Sequence, residues 1–290
     1  MRPRHVFGAA VALVLSAGLT TAAWAGVYYE ATTTTEGEGH GAAMTMTVKA
    51  WVSGEGAKVE FTKSDNPLTP PGTYLLTKDG GKTLYLVNPQ DKTYMQWDLE
   101  KMMGMAGGVM KMARGIMHMT FSDPKVEKLG EESGGTILGL PTTHYTYRTS
   151  YSMEMKIFGM KRKSDVVNTE DVWATDALSA PGMGVWLRKE PPKTGDEQLD
   201  KLVAAEAGKM KGFPLKQITV SATTDSKGKT TSSRTSMEVT ALQEQPVPDS
   251  TFEIPAGYNE TQMAPEGEGQ NKEQDSENPM AKIFGGKKKH

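Results

Sequence analysis

A methionine-rich segment between Trp97 and Phe121 places the strongest constraint on what this chain can fold into. Apolar residues recur through it at three- and four-residue steps, which predicts a helix with Asp98 as its N-terminal cap. Six polar or glycine residues share one narrow stripe, and nearly all the others are apolar, with Lys101 as the exception. Apolar side chains therefore cover about twice the ~100° face of an ordinary surface helix. The stripe consists of Glu100, Gly104, Gly107, Lys111, Arg114 and His118. We therefore expect this helix to be enclosed on several sides, either by a curved sheet or by lipid.

The first 25 residues have the features of a secretory signal peptide. Arg2 and Arg4 form a basic start, the stretch from Val6 to Leu19 is mostly apolar, and small residues precede a cleavage position after Ala25. The apolar run is shorter than the ~20 residues that span a bilayer, which favours a cleaved signal over a membrane anchor. The sequence thus predicts a periplasmic or secreted protein.

Composition narrows the classes of function. The chain has no cysteine, which excludes disulfides, thiolate metal sites, cysteine nucleophiles and a lipid-modified N-terminal cysteine. Its formal net charge is −2, without the basic excess that is typical of nucleic-acid binding. The length suits one large domain, predicted at residues 26–258, followed by a polar tail at 259–290 that we expect to be disordered.

Strand signals dominate the predicted domain. Alternating or β-branched runs separated by glycine-rich turns predict about ten short antiparallel strands, with hairpin signals such as KDGGK at 78–82. The segment GEESGG at 130–135 is interpreted as a loop, and a second amphipathic helix is predicted from Glu197 to Lys211. The expected fold class is α+β: a strongly curved antiparallel sheet, or half-barrel, wrapped around the methionine-rich helix.

The order of strands in the first half resembles the outer-membrane lipoprotein carrier (LolA/LolB-like) fold. That fold is a bent antiparallel half-barrel closed by helices over an apolar cavity. Four motifs resemble more closely an exported bacterial family, domain of unknown function 4412. They are GAKVEF at 56–61, LGLPTTHY at 138–145, FPLK at 213–216 and PDSTFEIPAGY at 248–258. The resemblance covers most of residues 26–258 and implies a half-barrel of the carrier type, without the basic residue that such carriers use to hold lipoproteins.

Motifs for catalysis or cofactor binding do not occur in the sequence. It contains no G-x-S-x-G, phosphate-binding loop or dinucleotide fingerprint, and its histidines lack zinc-type spacing. His144 is interpreted as a strand residue, and the acidic pairs Glu131–Glu132 and Glu170–Asp171 are interpreted as solvated surface. We therefore expect neither enzyme activity nor a bound cofactor.

Methionine thioethers are also soft ligands suited to Cu(I). The candidate copper set is Met117, His118 and Met119. Helical spacing separates Met103, Met110 and Met117 from one another by about 10 Å, so copper binding is the least favoured interpretation of the segment.

Flexible, polarizable methionine suits a surface that has to fit apolar ligands of variable shape. The leading hypothesis is a carrier or sensor that binds lipid, or the acyl chains of a lipoprotein, mainly by hydrophobic contact. The alternative is a structural or envelope-interaction protein with a filled core. A basic cluster at 287–289 adds the cell-envelope membrane surface as a candidate partner. The predicted lining of the apolar cavity consists of Leu84, Leu86, Trp97, Met102, Met103, Met110, Ile116 and Met117.

Overall fold

The computed structural model describes residues 25–37, 43–67, 69–98, 117–157, 160–178, 193, 197–207, 209 and 211–261. These residues form a 13-stranded sheet, one α-helix (α1, Glu197–Ala207) and a 3₁₀ helix (Asp249–Phe252). The strands are β1 (Ala25–Gly37), β2 (Met44–Ser53), β3 (Gly56–Ser64), β4 (Tyr74–Thr77), β5 (Thr83–Asn88), β6 (Thr93–Asp98), β7 (Met117–Phe121), β8 (Lys125–Ile137), β9 (Leu140–Ile157), β10 (Met160–Thr175), β11 (Phe213–Asp225), β12 (Thr230–Pro246) and β13 (Asn259–Glu260).

All 13 strands belong to one open, curved sheet. Across the sheet the order is β13-β6-β5-β4-β3-β2-β1-β12-β11-β10-β9-β7, and β8 pairs with β9 along the same edge as β7. Neighbouring strands run antiparallel, except that β13 runs parallel to β6. The predicted curved antiparallel sheet is therefore confirmed, with 13 strands instead of about ten.

One face of the sheet, which we call the core face, carries the main hydrophobic core. Val27 on β1 lies directly opposite Val52 on β2, and alternation along both strands keeps their apolar side chains on this face. Val27, Val52 and Leu215 are fully buried, and burial of each such side chain stabilises the fold by roughly 1.5–3 kcal/mol. The buried cluster comprises Val27, Tyr29, Ala31, Ala50, Val52, Ala57, Phe213, Leu215 and Val239.

The opposite face, which we call the reverse face, carries a smaller core beside β3 to β5. Tyr74, Leu76 and Val87 form it together with Val247 and Phe252 of the chain segment that follows β12. This segment crosses the end of the sheet through the 3₁₀ helix and finishes as β13. The C-terminal segment therefore covers part of the reverse face by apolar contact.

Phe252 fits the reverse face because position 56 is glycine. A Cβ atom at Gly56 would lie 2.5 Å from Cδ2 of the Phe252 ring, closer than non-bonded carbon atoms can approach. A glycine at the start of β3 thus provides the room for the ring.

The segment 130–135 is part of a strand, so its interpretation as a loop is wrong. Strand β8 continues through it to Ile137, with register shifts between Lys128 and Gly130 and between Ser133 and Gly135. Such bulges absorb an extra residue without ending the pairing, and glycine is common at them. The turn follows later in the chain, at residues 138 and 139 between β8 and β9.

Both ends of the predicted methionine-rich helix are strands. Trp97 and Asp98 are the last residues of β6, and Met117–Phe121 form β7, which pairs with the end of β9. The helix prediction is wrong for Met117–Phe121, because strand pairing overrides a three- and four-residue apolar spacing. Residues 99–116, which contain the rest of the predicted helix, lie outside the described residues.

Helix α1 is shorter than the predicted second helix. It begins at Glu197 as predicted but ends at Ala207, four residues before Lys211, and none of its residues is buried. The inward packing that was expected of an amphipathic helix is therefore not confirmed.

The two predicted terminal segments lie mostly outside the described residues. Residues 1–24 of the predicted signal peptide are not described, and Ala25 begins β1. At the other end, the N–H of Thr261 donates to the carbonyl of Tyr94 at 2.8 Å, so the described fold extends to residue 261. Residues 262–290 are not described.

Candidate functional site

The structure brings together three of the eight residues predicted to line an apolar cavity. Leu84 on β5 lies directly opposite Trp97 on β6, and Leu86 lies opposite Met95. Alternation and pairing from β1 to β6 place these four residues on the core face. Leu86 is buried, and the other three are half-buried. We call Leu84, Leu86, Met95 and Trp97 the first apolar patch.

The indole of Trp97 contributes a polar atom to this patch. Its Nε1 is buried, and no described residue accepts a hydrogen bond from it. A buried donor without an acceptor costs about 1–3 kcal/mol. A bound molecule with a carbonyl or carboxyl oxygen at this point would remove that cost.

The remaining predicted lining residues are not found on a helix. Met102, Met103, Met110 and Ile116 lie outside the described residues. Met117 is the first residue of β7, where the backbone pairs with Ile157 of β9. The helical geometry assumed for Met117 is therefore wrong.

The helical geometry assumed for the candidate copper residues is also wrong. Met117, His118 and Met119 are consecutive residues of a strand and pair with Ile157, Lys156 and Met155. Within the described ranges, no group of three or more His, Cys, Asp or Glu side chains could hold a metal ion.

A second apolar patch lies near the other lateral edge of the core face. Phe121 of β7 is opposite Met153 of β9, and Met155 follows two residues later on the same side of β9. The ring centroids of Phe121 and Tyr151 are 6.3 Å apart. All four side chains are half-buried, and none belongs to the predicted lining. We call Phe121, Tyr151, Met153 and Met155 the second apolar patch.

A buried ion cluster lies on the core face beside the second patch. Lys209, two residues after the end of α1, donates from Nζ to Glu170 Oε1 at 2.6 Å and to Thr149 Oγ1 at 3.1 Å. The same Nζ is 2.5 Å from Glu206 Oε2. The side chains of Lys209 and Glu170 are 6% and 10% exposed. One buried ammonium is thus shared by two carboxyl groups.

The pKa of Glu170 is raised in this cluster. Burial raises the pKa of Glu170, and the neighbouring Glu206 raises it further, although the hydrogen bond and charge of Lys209 act in the opposite direction. Glu206 Oε1 is buried and accepts no hydrogen bond from any described residue. A proton on the Glu170 carboxyl would supply the missing donor. Burial and the charge of Glu206 also raise the pKa of Tyr151, which connects the cluster to the second patch.

Sequence analysis missed this cluster because it assigned Glu170 to solvated surface together with Asp171. Glu170 is 8% exposed. The signal that could have identified it is the period of two in β10, because Val166 and Val172 occupy the same phase as Glu170. A carboxylate at an inward-facing strand position indicates a buried partner of opposite charge.

The reverse face carries a row of polar and aromatic side chains across β8 to β11. His144 lies opposite Trp173, and their rings stack with centroids 4.2 Å apart and an interplanar angle of 8°. The Nζ of Lys216 is 4.9 Å from the centroid of the same indole. His144 also contacts Asp171 Oδ1 at 2.9 Å and Glu132 Oε1 at 3.2 Å. Since its ring is occupied by these neighbours, His144 is a strand residue with a structural role.

A cleft of about 430 Å³ opens at the end of the β2–β3 hairpin, next to the 3₁₀ helix. Its lining includes no residue of the predicted cavity or of either apolar patch. The lining residues are Ser53, Gly54, Glu55, Gly56, Lys78, Asp249, Phe252 and Glu253. In the part of the chain that the structure describes, no helix is long and apolar enough to cross a bilayer.

Comparison with solved structures finds distant similarities. An uncharacterized conserved protein from Thermus thermophilus is 9% identical, with a TM-score of 0.34, over 81% of this chain and 90% of that chain. The structure of PNGF-II is 12% identical, with a TM-score of 0.31, over 81% of this chain and 31% of that chain. A DUF1329 family protein from Desulfovibrio piger is 9% identical, with a TM-score of 0.28, over 79% of this chain and 89% of that chain. No curated protein matches the sequence.

The four sequence motifs meet in pairs in the fold. Gly56 of GAKVEF lies beneath Phe252 of PDSTFEIPAGY. His144 of LGLPTTHY and Lys216 of FPLK are the two cross-strand neighbours of Trp173. Each motif therefore contacts a segment that is distant in the chain, which gives these motifs a structural role. The family described as Domain of unknown function (DUF4412) matches residues 38–258, and the chain belongs to this family.

Proposed function

We propose that this protein is an exported carrier or sensor that binds a lipid, or the acyl chains of a lipoprotein, on the core face of its open sheet. The proposal is for a binding protein of the periplasm or the extracellular space, without enzymatic activity. The observation that carries it is the pair of apolar patches, whose side chains remain mostly half-buried while the centre of the same face is fully packed.

The position of the two patches supports this proposal. The first patch lies on β5 and β6 and the second on β7 and β9, at opposite lateral sides of the sheet. Strands β6 and β7 are also the two strands between which residues 99–116 occur in the chain. Residues 99–116 lie outside the described residues, so we infer the ligand site from the two patches alone. Each acyl methylene buried there would contribute about 0.8 kcal/mol.

The unpartnered donor of Trp97 supports an acyl ligand over a plain hydrocarbon. The indole Nε1–H is buried in the first patch without an acceptor among the described residues. An ester or carboxyl oxygen would satisfy it, and a hydrogen bond of this kind contributes roughly 0.5–1.5 kcal/mol net.

Native mass spectrometry of the protein isolated from its own host tests the proposal against the two alternatives. Co-purified lipid supports a carrier or sensor. A bare protein mass supports a structural protein with a filled core, and a copper adduct supports methionine-based metal binding.

Two apolar-to-charged variants test the location of the site. Leu84→Asp and Met153→Asp each place a carboxylate in one patch, and we expect either to weaken binding of a fluorescent fatty acid by at least tenfold. Val167→Asp is the matched control, because Val167 lies on β10 and is 37% exposed. Equal binding by the patch variants and the control would contradict the proposed site.

A further inference from the structure

The hairpin formed by β9 and β10 projects beyond the neighbouring strand on one side. Strand β11 begins to pair with β10 only at Ser164, which is opposite Asp225. Residues 160–163 therefore have β9 on one side and no described strand on the other. The side chains of residues 160–163 are exposed to solvent.

Basic residues are concentrated on this projection. Residues 154–157 and 160–165 contain four basic side chains against two acidic ones. Lys156 and Lys161 occupy directly opposite positions on the two strands. Like charges directly opposite each other destabilise a strand pair, so this arrangement is best satisfied by an external anion.

The acidic neighbours neutralise only part of this charge. Glu154 Oε1 is 3.0 Å from Lys161 Nζ, and Asp165 Oδ1 is 3.7 Å from Lys163 Nζ. Lys161 and Lys163 nevertheless remain 66% and 59% exposed.

An apolar side chain lies at the same end of the hairpin as the basic ones. Alternation along β10 places Met160 and Arg162 on the core face and Lys161 and Lys163 on the reverse face, so the end of the hairpin, and not one face of it, presents both kinds of side chain. Met160 is 63% exposed, the highest value among the large apolar side chains of the described residues. Charged residues on an unpaired strand are a common protection against pairing with another chain. That role accounts for the lysines but does not explain why a methionine at the same end is 63% exposed. A lipid bilayer with anionic headgroups would bind the lysines through its charge and the methionine through its apolar interior.

We infer that Lys156 and residues 160–163 form a docking surface for the anionic face of a lipid bilayer, with Met160 entering the headgroup region. The inference does not depend on the proposed ligand site. Each basic residue near an anionic membrane strengthens binding by roughly fivefold.

Flotation with vesicles tests the electrostatic part of this inference. The purified protein should bind vesicles of phosphatidylcholine with phosphatidylglycerol, and bind pure phosphatidylcholine much more weakly. The double variant Lys156→Gln/Lys161→Gln should bind the anionic vesicles roughly 25-fold more weakly. This variant removes a repulsive pair together with the exposed ion pair between Lys161 and Glu154, which contributes at most about 1 kcal/mol, so misfolding is not an expected explanation for lost binding.

The matched control is Lys78→Gln/Lys82→Gln, which removes the same charge from the β4–β5 turn at the opposite end of the sheet. It should bind anionic vesicles as the unmodified protein does. Equal losses in the two double variants would overturn the inference. It would also be overturned if Lys287→Gln/Lys288→Gln/Lys289→Gln alone abolished binding, because the C-terminal cluster would then be the docking element.

A single introduced cysteine tests the apolar part, since the chain has none of its own. Met160→Cys labelled with a polarity-sensitive fluorophore should show a blue-shifted emission with anionic vesicles. Lys82→Cys, labelled in the same way, should show no shift. An unchanged spectrum at position 160 would refute contact between this hairpin and the bilayer.

Discussion

Two segments are attached to opposite faces of the sheet by different forces. The C-terminal segment is held on the reverse face by buried apolar side chains, with Phe252 6% exposed and Val247 7% exposed. Helix α1 is held near the core face by polar contacts, while none of the helical residues is buried. Lys209, just after the helix, donates to Glu170 and Thr149 of the sheet. Within the helix, Gln198 Oε1 accepts from the backbone N–H of Phe121 at 3.0 Å, and Lys201 Nζ donates to Asp123 at 3.1 Å. The C-terminal segment is therefore attached by apolar contacts, and α1 is attached by a few directional ion pairs and hydrogen bonds.

The difference predicts different responses to the same perturbation. Apolar contact is insensitive to protonation and is lost only together with the surrounding core. A buried ion cluster depends on the charge of each member, and loss of one member leaves the others uncompensated. We therefore expect α1 to open from the sheet at lower free energy than the C-terminal segment, as native-state hydrogen exchange would measure.

Lys209→Met should produce the largest effect. It leaves Glu170 and Glu206 next to each other without a counterion, and breaking such a buried pair costs about 3–5 kcal/mol. Urea denaturation should reveal a lower free energy of unfolding, or hydrogen exchange should reveal that α1 has become unprotected. Lys211→Met is the control, because Lys211 is exposed and only approaches the Tyr145 ring at 5.6 Å. Similar results for both variants would contradict the assigned role of the cluster.

Phe252→Ala tests the apolar attachment. Removal of this buried ring should lower the free energy of unfolding by about 3 kcal/mol, toward the lower end for phenylalanine because the segment lies at the protein surface. The loss should be the same at acidic and neutral pH, as measured by urea denaturation at both. Glu253→Ala, at the next and exposed position, should change stability little. A strong dependence of the Phe252→Ala effect on pH would remove the contrast between the two attachments.

Gly56→Ala tests the same attachment from the side of the sheet. The new Cβ would overlap the Phe252 ring, and overpacking of this kind costs about 1–3 kcal/mol. Adding Phe252→Leu should recover part of the loss, so a double-mutant cycle should give a favourable coupling free energy. Additive effects would show that Gly56 is needed for a different reason.

Glu170→Gln should give the smallest effect, seen as a change in pH dependence, because Lys209 keeps Glu206 as its counterion and the glutamine retains an oxygen that accepts from Nζ. Because the pKa of Glu170 is raised in the folded state, the folded protein binds this proton more tightly than the unfolded chain does. The stability that this proton contributes is fully present below pH 4.5, the ordinary pKa of a glutamate side chain, and is lost as pH rises through the raised pKa of Glu170. Thermal denaturation across this range should show the loss in the unmodified protein and a flatter profile in the variant. Glu132→Gln, whose side chain is 74% exposed, should retain the original profile.

Local sequence signals were sufficient to predict most of the strands of the sheet. The hairpin at 78–82 and the strand at Tyr74–Thr77 were predictable because turn glycines and alternating residues act within a few positions. Strand β8 was not predictable through GEESGG, because its pairing with β9 overrides a polar, glycine-rich sequence. The same reason explains why Met117–Phe121 form a strand although their spacing suits a helix.

The candidate site was predictable only where its residues are neighbours in a hairpin. Leu84, Leu86 and Trp97 were grouped from sequence, and they lie on two consecutive strands. The second patch combines β7 with the far end of β9, and the ion cluster joins Glu170 to Lys209 across 39 positions. Such contacts depend on the topology of the whole sheet, which a single sequence does not specify.

The position of β1 has a consequence for how the polypeptide reaches its native state. This central strand pairs on one side with β12, so that Thr35 meets Thr235, 200 residues later. Because the residues of β12 that pair with β1 are synthesised up to 200 residues later, the middle of the sheet cannot form until the intervening strands have been made. Closure of so long a loop slows folding, and we expect refolding on the slow timescale of all-β proteins in stopped-flow fluorescence.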